Sequence, residues 1–263
     1  MVQSDLAAIR TFNRYELKYL VDQRLLARLR PELSARLDHD IHGNLGTYPL
    51  WSRYYDTYDL RCYWEKIDGI KFRRKLRIRH YGPPHTLTAE KPVWVEIKQR
   101  LNRVTQKRRA RLPYNQAVAL CAGREIEECE PGDEALVEEV ERLVAEFDLR
   151  PSTAVGYSRE ALVGREADAG LRVTFDMRVR ARDRDLDLSI EGENRFIVHP
   201  DLSVLEVKVN ERVPYWLTEL IARNNLQLVR MSKYCQSVDA FDGKPRSLFH
   251  STDEDLYEME SGS

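Results

Sequence analysis

The segment Lys71–Tyr81, KFRRKLRIRHY, alternates basic and apolar side chains and restricts the fold more than any other stretch. Strand residues two apart share a face, so Leu76 and Ile78 point one way and Lys75, Arg77 and Arg79 the other. One face needs a core. The other presents guanidinium groups at intervals of about 6–7 Å, a spacing that suits successive phosphates, and the planar arginine fork matches phosphate oxygens. Alone, such a strand is ordinary solvated sheet surface.

It is not alone. RYELKYLV (14–21), VWVEIKQR (93–100), LRVTFD (171–176) and SVLEVKVN (203–210) alternate in the same way, with a strictly apolar face against a face of mixed charge. Three of the strands carry a carboxylate and an ammonium side by side: Glu16-Leu17-Lys18, Glu96-Ile97-Lys98 and Glu206-Val207-Lys208. Any one of these is explained by cross-strand pairing on a wet sheet. Together they require the apolar faces to be covered, and the periodic stretches at 22–37, 133–149 and 214–225 supply amphipathic helices for that purpose. If such a sheet closes, its charged faces line the interior. Unpaired cations there cost several kcal/mol each, which a phosphate-rich polyanion would offset, with a carboxylate or two holding a divalent cation against the phosphates.

The background is neutral: 42 Lys and Arg against 43 Asp and Glu, with a formal net charge of −1. A generally basic, nucleic-acid-like surface is thereby excluded. Four cysteines without CxxC spacing give no disulfide framework or metal pattern and fit a reducing cytoplasm. No stretch approaches the ~20 apolar residues of a membrane span. His39 and His42 beside Asp38 and Asp40 read as turn residues. Pro31 is expected to kink or split the first helix. Residues 125–134 read as an acidic surface insertion, and a final helix starts at Ser232. The expected organisation is one domain over 1–245 and an acidic tail over 246–263.

The ordered set RYELKYLV, YYDTYDLRCY, KLRIRHYG, VWVEIKQR, YSREAL, LRVTFD, LEVKV and RMSKYCQSVDAF, spread from Asn13 to Phe241, resembles the triphosphate tunnel enzymes and, within them, the VTC polyphosphate polymerase domain. The resemblance implies an α+β fold, a closed antiparallel β-barrel with a charged interior and helices packed outside. It also implies an ATP-dependent polymerase that transfers the γ-phosphoryl group onto polyphosphate, with Mn²⁺ or Mg²⁺ as cofactor. By motif, the phosphate-binding residues would be Lys18, Lys66, Arg77, Arg79, Lys98, Lys107, Arg159, Arg172, Lys208, Arg230 and Lys233. Lys66 and Lys107 rest on spacing more than on local sequence. Glu206 would hold the metal, with Glu16 and Glu96 as further candidates. Tunnel phosphatases start with E-x-E-x-K, whereas this chain has Arg14 in place of the first acid, which favours a long polyphosphate. A triphosphatase of the same fold and a non-catalytic polyphosphate-binding module remain the alternatives. No nucleic-acid partner is expected.

Overall fold

The computed structural model describes residues 15–40, 46–102, 104–127, 129–210 and 212–241. Arg14, His42 and the acidic tail lie outside them. The described chain runs β1 (Tyr15–Asp22), α1 (Gln23–Ser34), β2 (Leu37–His39), β3 (Thr47–Asp56), α2 (Arg61–Ile67), β4 (Phe72–Tyr81), β5 (Pro92–Leu101), β6 (Val104–Pro113), α3 (Tyr114–Leu120) and α4 (Glu134–Phe147). It continues through β7 (Arg150–Gly164), β8 (Arg172–Arg182), β9 (Arg195–Phe196), β10 (Leu202–Val209), α5 (Tyr215–Arg223) and α6 (Lys233–Asp239). None of the described helices is long and apolar enough to cross a membrane.

One antiparallel sheet organises these elements in the order β1-β10-β8-β7-β3-β4-β5-β6, with β2 on β7 and β9 on β8. β1 and β5 lie six strand intervals apart along that path, which in a flat sheet is about 29 Å. Yet Lys98 Nζ on β5 lies 2.9 Å from Glu16 Oε2 on β1. The sheet therefore curls until side chains at its two ends meet across the concave face.

The expected closed barrel is not formed, because no backbone ladder among the described residues joins β1 to β6. The outer edge of β1 is engaged elsewhere: Val229 N–H donates to Lys18 O at 2.8 Å, and Tyr19 bridges Leu228. With those backbone groups taken, the seam is spanned by side chains rather than by strand pairing.

Alternation decides the packing on either side. On the convex face Leu76, Ile78, Val95, Ile97 and Leu112 pack under α3 and α4, whose Ala117, Leu120, Val140 and Leu143 are buried. Tyr19, Val173, Phe175, Leu205 and Val207 pack under α1 and α5 through Leu26, Leu29, Leu33, Leu217 and Leu220. Asp22 caps α1 by accepting from Leu25 N at 2.7 Å. Pro31 does not split this helix: it sits in the last turn, and Ala35 N→Pro31 O (3.0 Å) continues the ladder past it. A close approach fixes one glycine on β7, since a Cβ on Gly156 would lie 2.6 Å from the Trp51 ring.

A third apolar cluster fills one end of the concave side. There Tyr234, Cys235 and Val238 of α6 meet Tyr54, Val155 and Val204. Ser232 caps α6, Thr153 Oγ1 and Ser237 Oγ are 2.7 Å apart, and Tyr234 Oη bonds to Asp56. Asp56 also accepts from the backbone N–H groups of Thr57, Cys62 and Tyr63, so one carboxylate joins β3, α2 and α6.

This two-sided arrangement predicts that Ile78→Asp, which places an unpaired charge in a fully buried position, lowers stability by about 3 kcal/mol or more. Lys98→Ala, which removes a part-exposed cation from the opposite face, should cost less in a urea melt; equal losses would mean the core had been assigned to the wrong face.

Candidate functional site

One set of charged residues from each of β1, β10, β8, β7, β4, β5 and β6 converges on the concave face because antiparallel register aligns them. Glu16 stands opposite Lys208, and Lys18 opposite Glu206. Arg159 stands opposite Asp176, Arg77 opposite Glu96, and Lys98 opposite Lys107. The result is a continuous network in which a few acids each serve several cations.

Glu96, fully buried, accepts from Arg77 Nε at 2.7 Å and Lys107 Nζ at 3.0 Å, with Arg79 Nη1 at 4.0 Å. Burial works against its charge, but Arg77, Arg79 and Lys107 hold it well below the usual carboxylate range. Asp176 receives both arms of Arg159, at 2.6 and 2.8 Å, and Lys233 Nζ at 2.5 Å. Against the same burial penalty Arg159 and Lys233 lower it to about 2. Glu206 is 3.3 Å from Lys208 Nζ, 3.5 Å from Arg159 Nη2 and 3.9 Å from Lys18 Nζ. Glu16 stands beside it, and the burial that works against its charge is overcome by Lys208 and Lys18. Glu16 in turn pairs with Lys18 at 3.0 Å and Lys98 at 2.9 Å.

The cations are oriented by neutral groups as well. Arg77 Nη1 donates to Tyr54 Oη at 3.0 Å, while Arg79 donates to Ser52 Oγ at 3.1 Å and Tyr157 Oη at 3.2 Å. Lys18 Nζ donates to Met231 O at 3.1 Å, tying β1 to the segment that leads into α6. Arg172 pairs with Asp40 at 2.5 Å and reaches Tyr48 Oη at 3.4 Å.

Of the residues expected from sequence, Lys18, Arg77, Arg79, Lys98, Lys107, Arg159, Lys208, Lys233, Glu16, Glu96 and Glu206 lie in this network. Arg172 adjoins it by standing opposite Lys208 in the β8–β10 ladder, and pairs with Asp40, a residue read from sequence as part of a turn. Lys66 is half-buried on α2, outside the network. Arg230 is exposed and makes no ion pair among the described residues. Asp176 and the tyrosines at 48, 54 and 157 were not expected. Alternation places Asp176 on the face of Arg172 and Thr174, so a signal for it existed. No comparable signal marks the tyrosines, because nearly every residue of β3, and of β7 around Tyr157, is buried whichever way it points.

Glu16 and Glu206 are adjacent carboxyls, oxygen donors of the kind that suits a hard divalent cation. Among the described residues no cluster of three His, Cys, Asp or Glu side chains is placed to hold a metal unaided.

Two lysines have a different titration. Burial pushes Lys208 down to about 7, with Arg159 and Lys98 adding to the effect against Glu206 and Glu16. Burial likewise pushes Lys107 down to about 8, with Arg77 and Arg79 opposing Glu96. A lysine lowered on folding holds fewer protons folded than unfolded between its folded value and about 10.4. Stability contributed this way rises with pH across that window. A bound polyanion reverses the balance by favouring the ammonium. Tripolyphosphate titrated at pH 8 should therefore take up protons, seen as a binding enthalpy that depends on the buffer's ionisation enthalpy. Lys208→Met should remove most of that dependence, and a wild-type enthalpy indifferent to buffer would refute it.

The VTC domain family model matches residues 13–241. Vacuolar transporter chaperone complex subunit 4 of Trypanosoma brucei brucei is 24% identical over 277 residues, covering 88% of this chain and 35% of the relative. The chain thus spans about a third of the length of that curated relative. Among solved structures, a candidate adenylate cyclase from Bacillus halodurans aligns with TM-score 0.48 and 14% identity, over 84% of this chain and 95% of the other. A Pyrococcus horikoshii protein aligns with TM-score 0.44 and 12% identity, over 87% and 99%.

Proposed function

Because the chain belongs to the VTC domain family, we propose that its concave groove binds polyphosphate and ATP and transfers the γ-phosphoryl group of ATP to the growing polymer. The observation that carries this reading is the excess of cations over acids on one face. Among the described residues, Lys18, Arg77, Arg79, Lys98, Lys107, Arg159, Lys208 and Lys233 share only Glu16, Glu96, Asp176 and Glu206. A ligand with many closely spaced negative charges is the natural complement.

Phosphoryl transfer asks little covalent chemistry of the protein and much positioning and charge stabilisation. Arg77 and Arg79, fixed by Glu96, Tyr54, Ser52 and Tyr157, would grip oxygens of the transferred group. Arg159 and Lys233, held by Asp176, would face adjacent phosphates, with Lys18, Lys98 and Lys208 continuing the row. Glu206, with Glu16 beside it, would hold Mg²⁺ or Mn²⁺, which when bound supplies further charge neutralisation on the phosphates. The attacking oxygen is the terminal phosphate of the acceptor, already ionised and in little need of a general base.

Transfer to polymer is favoured over hydrolysis by the state of the acids. Each of the four is engaged by at least two cations and has its pKa lowered, so none is well suited to take a proton from water. With labelled ATP, Mn²⁺ or Mg²⁺ and a short polyphosphate primer, ADP and acid-labile polymer should accumulate. Free phosphate as the sole product would replace the polymerase by a triphosphatase, and binding without turnover would leave a polyphosphate-binding module. Glu206→Gln should cut turnover at least ~100-fold, the scale for losing a group that stabilises transition-state charge. Tripolyphosphate binding should persist or tighten in this variant, since a negative charge has left a cationic groove; full activity across a Mn²⁺ titration would exclude Glu206 as the metal ligand.

A further inference from the structure

The cationic row does not stop where the acids stop. Strand alternation carries the concave face outward from Lys75 and Lys98 to Arg73 and Arg100, which stand directly opposite each other in the β4–β5 ladder. Lys66 on α2 adjoins them, and its ammonium is lowered by burial and by the charges of Arg73, Lys75 and Arg100. None of these four makes an ion pair among the described residues. Their hydrogen bonds go elsewhere: Arg73 Nη1 donates to Ile70 O at 2.6 Å, Arg100 Nε to Asn102 O at 2.9 Å, and Lys75 Nζ lies 3.6 Å from Cys235 Sγ. The nearest acid acting on Arg73 is Glu65, itself paired with Arg61 at 3.0 Å.

Cations inside the groove are paired with acids; these are gathered side by side with no ion pair among the described residues, and the one acid acting on Arg73 and Lys75 is already shared with Arg61. Like charges directly opposite in a ladder are destabilising, so the fold bears a cost here that an external polyanion would relieve. We infer that Lys66, Arg73, Lys75 and Arg100 form a rim site that holds the part of a polyphosphate chain extending beyond the groove. The inference rests on the polyphosphate reading and adds to it: the rim engages only chains long enough to leave the groove. Small triphosphates occupy the interior and do not reach it. An anionic lipid surface would meet the same charges, and Phe72 and Leu101, exposed and opposite one another beside this rim, would suit it. Those two side chains, however, lie on the convex side of the alternation, whereas the cations continue the concave row, and a polymer threaded along that row is favoured.

The test compares wild type, Arg73→Gln/Arg100→Gln and, as a variant confined to an exposed position, Arg100→Glu, with melting temperatures confirming that each is folded. Tripolyphosphate and long-chain polyphosphate are titrated over a salt series. Triphosphate affinity should stay within about twofold of wild type, while affinity for the long polymer falls roughly tenfold at low salt. The slope of log affinity against log salt should shrink by about one to one and a half in the double variant, at roughly 0.7 per cation lost against a flexible polyanion. Unchanged long-polymer affinity and slope in both variants overturn the rim site. Equal losses for tripolyphosphate and polymer would place Arg73 and Arg100 in the groove's own site, overturning a separate rim. If the variants keep polymer affinity but lose binding to phosphatidylserine vesicles, the surface belongs to a membrane and the inference falls. Failure of the wild type to bind either phosphate ligand would defeat the reading of the groove itself.

Discussion

Cations placed inside a curled sheet lose much of their hydration, and everything on the concave face follows from how that loss is offset. Breaking a buried ion pair costs about 3–5 kcal/mol because a charge is left uncompensated, so the acids Glu96, Asp176 and Glu206 are structural necessities before any ligand arrives. Each is shared: Glu96 by Arg77 and Lys107, Asp176 by Arg159 and Lys233, Glu206 by Lys208 and Arg159. Sharing leaves donor capacity unused on the cations. Arginine has five donor hydrogens, and a carboxylate that serves two partners cannot satisfy them all. The groove is thus folded and unsaturated at once, the condition under which an anion can bind without first dismantling the protein.

Rigidity comes from the opposite side of the same strands. Because Leu76 and Ile78 are locked beneath α3 and α4, Arg77 and Arg79 between and beyond them inherit a fixed backbone. Lys18 is placed similarly by its neighbour Tyr19, packed under α1. α6 adds a third constraint by filling one end with Tyr234 and Val238 while setting Lys233 on Asp176. Positions set by packed helices and strands are more precise than positions on loops, which matters for the proposed role of holding charges at phosphate spacing.

How much of this was legible in the sequence depended on whether it was local. Strand identity and the division into apolar and charged faces follow from a period of two and hold for β1, β4, β5, β8 and β10. The three Glu-x-Lys pairs all reach the groove for the same reason. Closure was not legible: whether β1 meets β6 turns on which segment takes β1's free edge, and the claimant, Leu228–Val229, lies some two hundred residues away in sequence with no strand pattern of its own. Asp40 lies outside the strands and helices, as expected of a loop residue, but its ion pair was not legible, for a related reason. Its partner Arg172 is brought to it only by the tertiary fold, so a carboxylate beside histidines looked like turn chemistry. Arg230 shows the converse, since a basic residue within a family-like stretch makes no ion pair with the groove's acids among the described residues.

On the proposed polyphosphate reading, a gradient of compensation along the groove would reconcile tight binding with movement. Where Asp176 and Glu206 stand among the cations, an incoming phosphate must compete with carboxylates, which limits how firmly any one phosphate is held. Lys107 and Lys208, poised near neutrality by burial, add cations whose charge is completed by the ligand itself. A groove lined by uncompensated arginines alone would bind a polyanion too strongly to let it advance, and one fully neutralised would not bind it. Conduction of a charged species requires many moderate sites rather than one deep well, as in ion pores. The interior, with acids interleaved among its bases, has that character, and the acids that make the empty fold possible are the same groups that keep each phosphate exchangeable.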